Sequence, residues 1–184
     1  SMADITLISV EGTQWDKNSV AVDIAQRLVK RGQSVELHVF GQPMADIEDY
    51  LCQHPYVKFH GLTPNAELPF YYRGAMVYIL NDVIAACPNS VIEAMACGTP
   101  AIGYREGALP ELLGPLADEL CVDHISDAWK LQPPQNGEQL ASVAELVASN
   151  LPDYRRRVRD MTERFYGLQT MIDRYIDVFA NVRH

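Results

Sequence analysis

The sequence predicts an α/β fold in which about six parallel strands form one doubly wound sheet flanked by helices. Three observations carry that expectation. Short apolar runs rich in branched residues alternate with longer amphipathic segments, the pattern of repeated βαβ units. Six such runs are present, enough for one sheet. A length of 184 residues normally makes one domain with a substantial core.

The elements follow in order. Ile5 to Val10 reads as the first strand, directly after Ser1-Met2, which look like a cloning remnant. Val20 to Val29 is a helix that places Val20, Ile24, Leu28 and Val29 near one face, with Arg31-Gly32 ending it. Ser34 to Phe40 is a strand, Ala45 to Gln53 a helix, Val57 to His60 a strand and Ala66 to Tyr72 a helix. Met76 to Leu80, Thr99 to Gly103 and Glu119 to Val122 complete the strands, with helices at Asn89 to Ala96 and Leu109 to Leu113. Leu131 to Gly137, with Pro133-Pro134, is a loop. Three helices close the chain: Glu138 to Ser149, Pro152 to Tyr166 and Gln169 to Val178. Pro152 suits a first helical turn, where its missing donor is harmless. Met171, Ile172, Tyr175, Ile176 and Phe179 form an apolar stripe expected to pack into the core.

The formal net charge of -9 argues against general nucleic-acid binding, which calls for a basic face. It leaves room for a nucleotide held locally by a helix terminus and one lysine. Leu151 to His184 carries seven arginines against five acidic residues, a local +2. Arg155-Arg156-Arg157 with Arg159 reads as a solvated helix face, the alternative being contact with anionic lipid. Cys52, Cys87, Cys97 and Cys121 form no C-x-x-C pair, so reduced thiols are expected and zinc or redox motifs are not. No apolar run approaches the roughly 20 residues of a spanning helix, and the start does not resemble a secretory signal. The expected location is cytoplasmic.

The most informative stretch is Pro88 to Glu111, PNSVIEAMACGTPAIGYREGALPE. Pro88 opens a helix where its absent N–H costs nothing, and Asn89 and Ser90 supply polar groups around free backbone donors. Such a helix start attracts anions through unpaired N–H groups and the helix dipole. Glu93 lies about one turn further in, within reach of a sugar hydroxyl. Gly98-Thr99-Pro100 then ends the helix. In a sheet of this kind the ligand edge is at the carboxyl ends of the strands, where Glu11 to Asn18, His60 to Thr63 and Asn81 to Ser90 fall.

The run from Pro88 to Pro100, followed by Glu106-Gly107-Ala108-Leu109-Pro110-Glu111, resembles the donor-binding core of the family-4, retaining, GT-B glycosyltransferases of group 1. Weaker echoes extend it: Val57 to Gly61 beside the nucleotide base, Ala66 to Tyr72, Val35 to Gly41, Asp16-Lys17-Asn18 near the diphosphate, and the aromatic-bearing helix from Phe165 to Tyr175. The resemblance implies a Rossmann-like domain, the C-terminal half of a GT-B fold, spanning 1–184 with 138–184 as its C-terminal helices. The acceptor half would come first in the full protein and is missing from this chain, so an excised half or a naturally solitary one is expected. The donor is a nucleoside-diphosphate sugar of UDP or GDP type, with no metal or other cofactor. Peripheral membrane association of the full protein is one expectation for its wider setting.

The resemblance also assigns residues. Glu93 is the catalytic candidate and ribose ligand, the alternative being a carboxylate that merely complements the helix dipole. Lys17 would meet the diphosphate, Leu62 would touch the base through its backbone, and Asn89, Ser90 and Val91 would act through their amides. Glu106, Gly107 and Ala108 follow the fifth strand against sugar and phosphates; Arg105 is either a phosphate contact or simply exposed. His60 is either part of the base pocket or structural. Two departures stand out. Gly12 occupies the position of an expected arginine, and Ala85 that of a glutamate eight residues before Glu93. Asp82 is the nearest substitute for the missing carboxylate, the alternative being a turn former. These departures leave a second function open, a degenerate copy acting as scaffold or regulatory partner. A nicotinamide dehydrogenase is disfavoured because Glu11-Gly12-Thr13-Gln14-Trp15 replaces G-x-G-x-x-G. An epimerase or phosphorylase of the same architecture stays open, since fold does not fix reaction.

Overall fold

The computed structural model describes residues 4–11, 19–42, 45–124 and 134–181. The branched apolar runs become six strands: β1 (Ile5–Glu11), β2 (Val35–Gly41), β3 (Val57–Gly61), β4 (Val77–Ile79), β5 (Ala101–Tyr104) and β6 (Cys121–Val122). All neighbouring pairs are parallel, in the order β3-β2-β1-β4-β5-β6. The register runs from Ile5 opposite Val35 to Glu11 opposite Gly41, with Leu7 opposite Val77 on the other side of β1. Leu7, Ile8, Val77, Tyr78 and Ile79 are fully buried, as expected for central strands covered on both faces.

Nine helices accompany the strands among the described residues: α1 (Val20–Lys30), α2 (Ala45–Cys52), α3 (Leu68–Gly74), α4 (Asn89–Ala96), α5 (Leu109–Leu113), α6 (Ala117–Leu120), α7 (Gly137–Ser149), α8 (Leu151–Tyr166) and α9 (Leu168–Asn181). In α1 the Ser19 hydroxyl caps the helix by accepting from the Val22 amide at 3.3 Å. Val20, Ile24 and Leu28 face the core as the spacing predicts, but Val29 is 39% exposed, one helical step of about 100° past Leu28. Arg27 and Arg31 fasten α7 to α1 through Glu138 at 2.6 and 2.5 Å.

Two expectations need correction. Residues Glu119 and Leu120, expected in the last strand, belong to α6, and β6 is only two residues long. Leu116, Ala117 and Leu120 are buried there while the Glu119 carboxylate accepts from Tyr154 Oη at 3.0 Å and pairs with Arg157, so local tertiary contacts favour a helical turn. The apolar stripe of α9 does not enter the core: no residue of that helix is buried, with Ile172 39% and Phe179 73% exposed. Gly167 is extended (φ −62°, ψ 143°), so α9 departs from the line of α8 and packs chiefly against that helix. The stripe has the helical period, but no described element covers it.

The α8 arginines divide between the expected solvated face, which Arg156 and Arg159 keep, and the fold itself, which Arg155 and Arg157 enter half-buried. Arg155 Nη2 donates to the carbonyls of Arg73 and Ala75, at 3.1 and 2.8 Å, satisfying the end of α3. Arg157 reaches Glu119, while Arg156 pairs with Asp153 and Arg159 with Glu163 along their own helix. Arg155→Ala is expected to destabilise the domain by about 1–3 kcal/mol because two carbonyls lose a charged donor. Arg156→Ala should stay within about 0.5 kcal/mol of wild type. Urea denaturation of both variants checks this; equal midpoints would contradict it.

Candidate functional site

Strand order reverses between β1 and β4, so the loops leaving their carboxyl ends diverge and open a crevice. Two side chains span its floor. Asn81, just past β4, accepts at Oδ1 from the Ser19 hydroxyl and from the Ala21 amide, both at 3.2 Å, and thereby joins β4 to the start of α1. Tyr78 donates to Ser90 Oγ at 2.8 Å and lies 3.3 Å from the Val10 carbonyl, tying β1, β4 and α4 together. Neither residue is marked by a local sequence pattern. Only the strand order brings them to the crevice.

The start of α4 faces this crevice. Pro88 is the N-cap residue (φ −73°) and no side chain caps the helix. The Val91 amide donates to the Pro88 carbonyl at 3.0 Å, which leaves the amides of Asn89 and Ser90 as the helix's terminal donors. Asn89 is exposed, Ser90 half-buried, and Val91 anchors the turn with a fully buried side chain. Glu93, one turn on, is exposed, and its Oε2 accepts a long 3.4 Å bond from Tyr72 Oη. Burial, then Tyr78 and Glu93, push the Tyr72 phenol well above its ordinary range, so it stays a donor. The helix closes with Gly98 at φ +82° and the Thr99 amide donating to the Ala94 carbonyl at 2.9 Å, a left-handed closure that glycine allows without strain.

Ala85 occupies the position where the resemblance calls for a carboxylate. It is buried, and its carbonyl accepts from the Ala108 amide at 2.9 Å. Gly107 has φ +57°, and a Cβ there would lie 2.7 Å from the Ala85 carbonyl oxygen. The loop before α4 and the loop after β5 are therefore in backbone contact, with Glu106 half-buried beside them. Asp82 is exposed and accepts at Oδ1 from the Ile84 amide at 3.0 Å, forming a turn within its own loop. Arg105 pairs with Asp118 and Asp123 at 3.0 and 3.2 Å, and is engaged there rather than simply exposed. Lys17 and Gly12 lie outside the described residues.

At the carboxyl ends of β2 and β3 an open pocket of about 440 Å³ is lined by Gly41, Gln42, Glu48, Phe59, His60, Gly61 and Leu62. Leu62 is 73% exposed at its rim. His60 is stacked on Phe40, 4.4 Å between ring centres and 4° from parallel, with Tyr71 tilted against both. Its Nε2 lies 2.8 Å from His38 Nδ1, and His38 Nε2 lies 2.7 Å from Glu36 Oε1. Burial, then the neighbouring His38, lowers the His60 pKa below 6.5 against an opposing pull from Glu36. The period of two along β2 places Glu36, His38 and Phe40 on one face, a signal the sequence carried. Among the described residues no group of three or more His, Cys, Asp or Glu side chains is arranged to hold a metal ion.

A family model for group 1 glycosyl transferases matches residues 6–145, most of the sheet and its helices. The chain belongs to that family. This glycosyltransferase domain is 30% identical over 87 residues to the O-antigen chain mannosyltransferase B of Escherichia coli, covering 41% of this chain and 23% of that protein. It is 34% identical over 67 residues to the D-inositol 3-phosphate glycosyltransferase of Thermobifida fusca, covering 36% of this chain and 15% of that protein. Its fold matches Anabaena HepE, solved in complex with UDP, with a TM-score of 0.69 at 14% identity over 97% of this chain and 50% of HepE. Sucrose-phosphate synthase from Thermosynechococcus elongatus matches with a TM-score of 0.65 at 22% identity, over 98% of this chain and 47% of that one. The glycosyltransferase domain thus spans about half the length of these solved structures and matches less than a quarter of the two curated relatives. No helix of the described residues is long and apolar enough to cross a membrane.

Two outcomes are expected of the isolated domain. Gly107→Ala should cost about 1–2 kcal/mol from the left-handed backbone alone, with the Ala85 contact adding to it; an unchanged urea midpoint would contradict the loop contact. Because the folded His60 binds its proton less readily than the unfolded chain, stability should fall as pH drops below about 6.5 and level off below the lowered folded value. His60→Phe should flatten that part of the stability profile, and an identical profile in wild type and variant would refute the assignment.

Proposed function

We propose that this domain is the donor-binding half of a retaining glycosyltransferase that moves a sugar from a nucleoside-diphosphate carrier to an acceptor hydroxyl. The observation that carries the reading is the uncapped start of α4 facing the switch-point crevice, with the Glu93 carboxylate one turn below it. The family match over residues 6–145 supports it independently. The Asn89 and Ser90 amides and the helix dipole hold the diphosphate, and Lys17 adds the cation. As the bond to the sugar breaks, negative charge grows on the diphosphate, and donors fixed in advance stabilise that charge without rearranging. Glu93 accepts from the ribose hydroxyls, Leu62 meets the base through its backbone, and Glu106, Gly107 and Ala108 border the sugar. An acceptor domain supplied by the remainder of the protein completes the cleft and covers the apolar stripe of α9. The chain as a whole, residues 1–184, is one donor-binding domain in this reading.

One observation favours a second reading, a non-catalytic scaffold. Ala85 offers no carboxylate for the donor sugar, and Asp82 already accepts from Ile84. Calorimetric titration with UDP and GDP distinguishes the two. Binding to wild type should weaken by about tenfold or more in Glu93→Gln, where neutral hydrogen bonds replace charge-assisted ones, with the urea midpoint unchanged. Equal affinity in the variant would remove Glu93 from the site; silence with both nucleotides at millimolar concentration would favour the scaffold.

A further inference from the structure

The pocket at the ends of β2 and β3 contains a polar chain that the proposed donor role does not use. It begins at Glu36, an acceptor when ionised, so His38 Nε2 must carry the hydrogen of the 2.7 Å contact. When both rings are neutral, His38 Nδ1 is then a lone pair, and His60 Nε2 must donate across the 2.8 Å contact. That fixes the last atom: His60 Nδ1 is a lone pair too. It has no hydrogen-bond partner among the described residues, and the only buried side-chain polar atom found without one there is His54 Nε2. The Nδ1 atom therefore opens to solvent on a residue that lines the pocket. Phe40 and Tyr71 hold the ring in place, so the acceptor is fixed in direction rather than adaptable.

We propose that the Glu36–His38–His60 chain makes His60 Nδ1 an oriented acceptor that selects nucleobases carrying a ring N–H on their pairing edge, as uracil and guanine do. The inference rests on the donor-binding reading above and names what sets its base preference. Cytosine and adenine present a ring lone pair at the same edge, and two lone pairs facing each other leave both unsatisfied once the bound base excludes water between them. The chain also has a defined response to acid. One added proton, on either ring, makes His60 Nδ1 a donor: a charged His38 donates from Nδ1 to His60 Nε2, and a charged His60 carries hydrogen on both nitrogens. The groups that bear on this proton are Glu36 and His38 on β2, Tyr71 on α3 and Glu48 on α2 at the pocket wall. Burial and the facing His38 ring keep His60 from charging at neutral pH, consistent with the acceptor form there.

The test is calorimetric titration of the wild-type domain, His60→Phe and His60→Gln with UDP and CDP, at about pH 8 and about pH 5.5. Phenylalanine keeps the ring stack and removes the acceptor; glutamine, able to donate or accept, keeps the test available if the first variant does not fold. In wild type UDP should bind roughly tenfold more tightly than CDP at the higher pH, with the ratio shrinking or inverting at the lower. Both variants should show a ratio near one that does not move with pH. A wild-type ratio that is pH-independent, or that survives in the variants, overturns the inference while Glu93-dependent UDP binding leaves the donor reading standing. Absence of any nucleotide binding overturns both.

Discussion

The structure depends on a single topological constraint: β4 returns to the far side of β1 instead of extending the sheet beyond β3. Two parallel strands that diverge in their onward connections cannot fill the space above their carboxyl ends with their own loops. Asn81 and Tyr78 make that space usable. One ties the end of β4 to the start of α1, the other ties β4 to the start of α4 and the end of β1. With those bonds in place, the start of α4 is held at a fixed position at the crevice.

The wall of the crevice is built by backbone rather than by side chains. The Ala85 carbonyl and the Ala108 amide join the loops before α4 and after β5, and the absence of a side chain at Gly107 lets them meet. The contact at position 85 uses main-chain atoms, so it does not depend on which side chain stands there.

Most of the sheet was legible because central strands covered on both faces are mainly apolar: β4 is so throughout and β1 largely so, while β2 keeps its apolar signal by alternation, with Glu36 and His38 on one face. The α4 region was legible for a different reason: Pro88, Asn89, Gly98 and Pro100 are local punctuation whose conformational meaning does not depend on distant residues. What escaped the sequence was set by contacts across long separations. Glu119 was drawn into a helical turn by Tyr154 and Arg157, and Asn81 found Ser19, 62 residues away. The stripe on α9 has the period of a core helix, but periodicity reports that a face is apolar and not which surface covers it. The Glu36-His38-Phe40 alternation was readable as one strand face; its partner His60 became visible only once β3 was placed beside β2.

The face of α9 that no described element covers has a consequence for the isolated domain in solution. A net charge of -9 keeps copies apart at low ionic strength, while Leu168, Met171, Tyr175 and Phe179 offer a sticky strip once they approach. Added salt shortens the reach of the repulsion and leaves the apolar attraction intact. Salt is therefore expected to favour self-association of the isolated domain, the reverse of its usual effect on assemblies held by opposite charges.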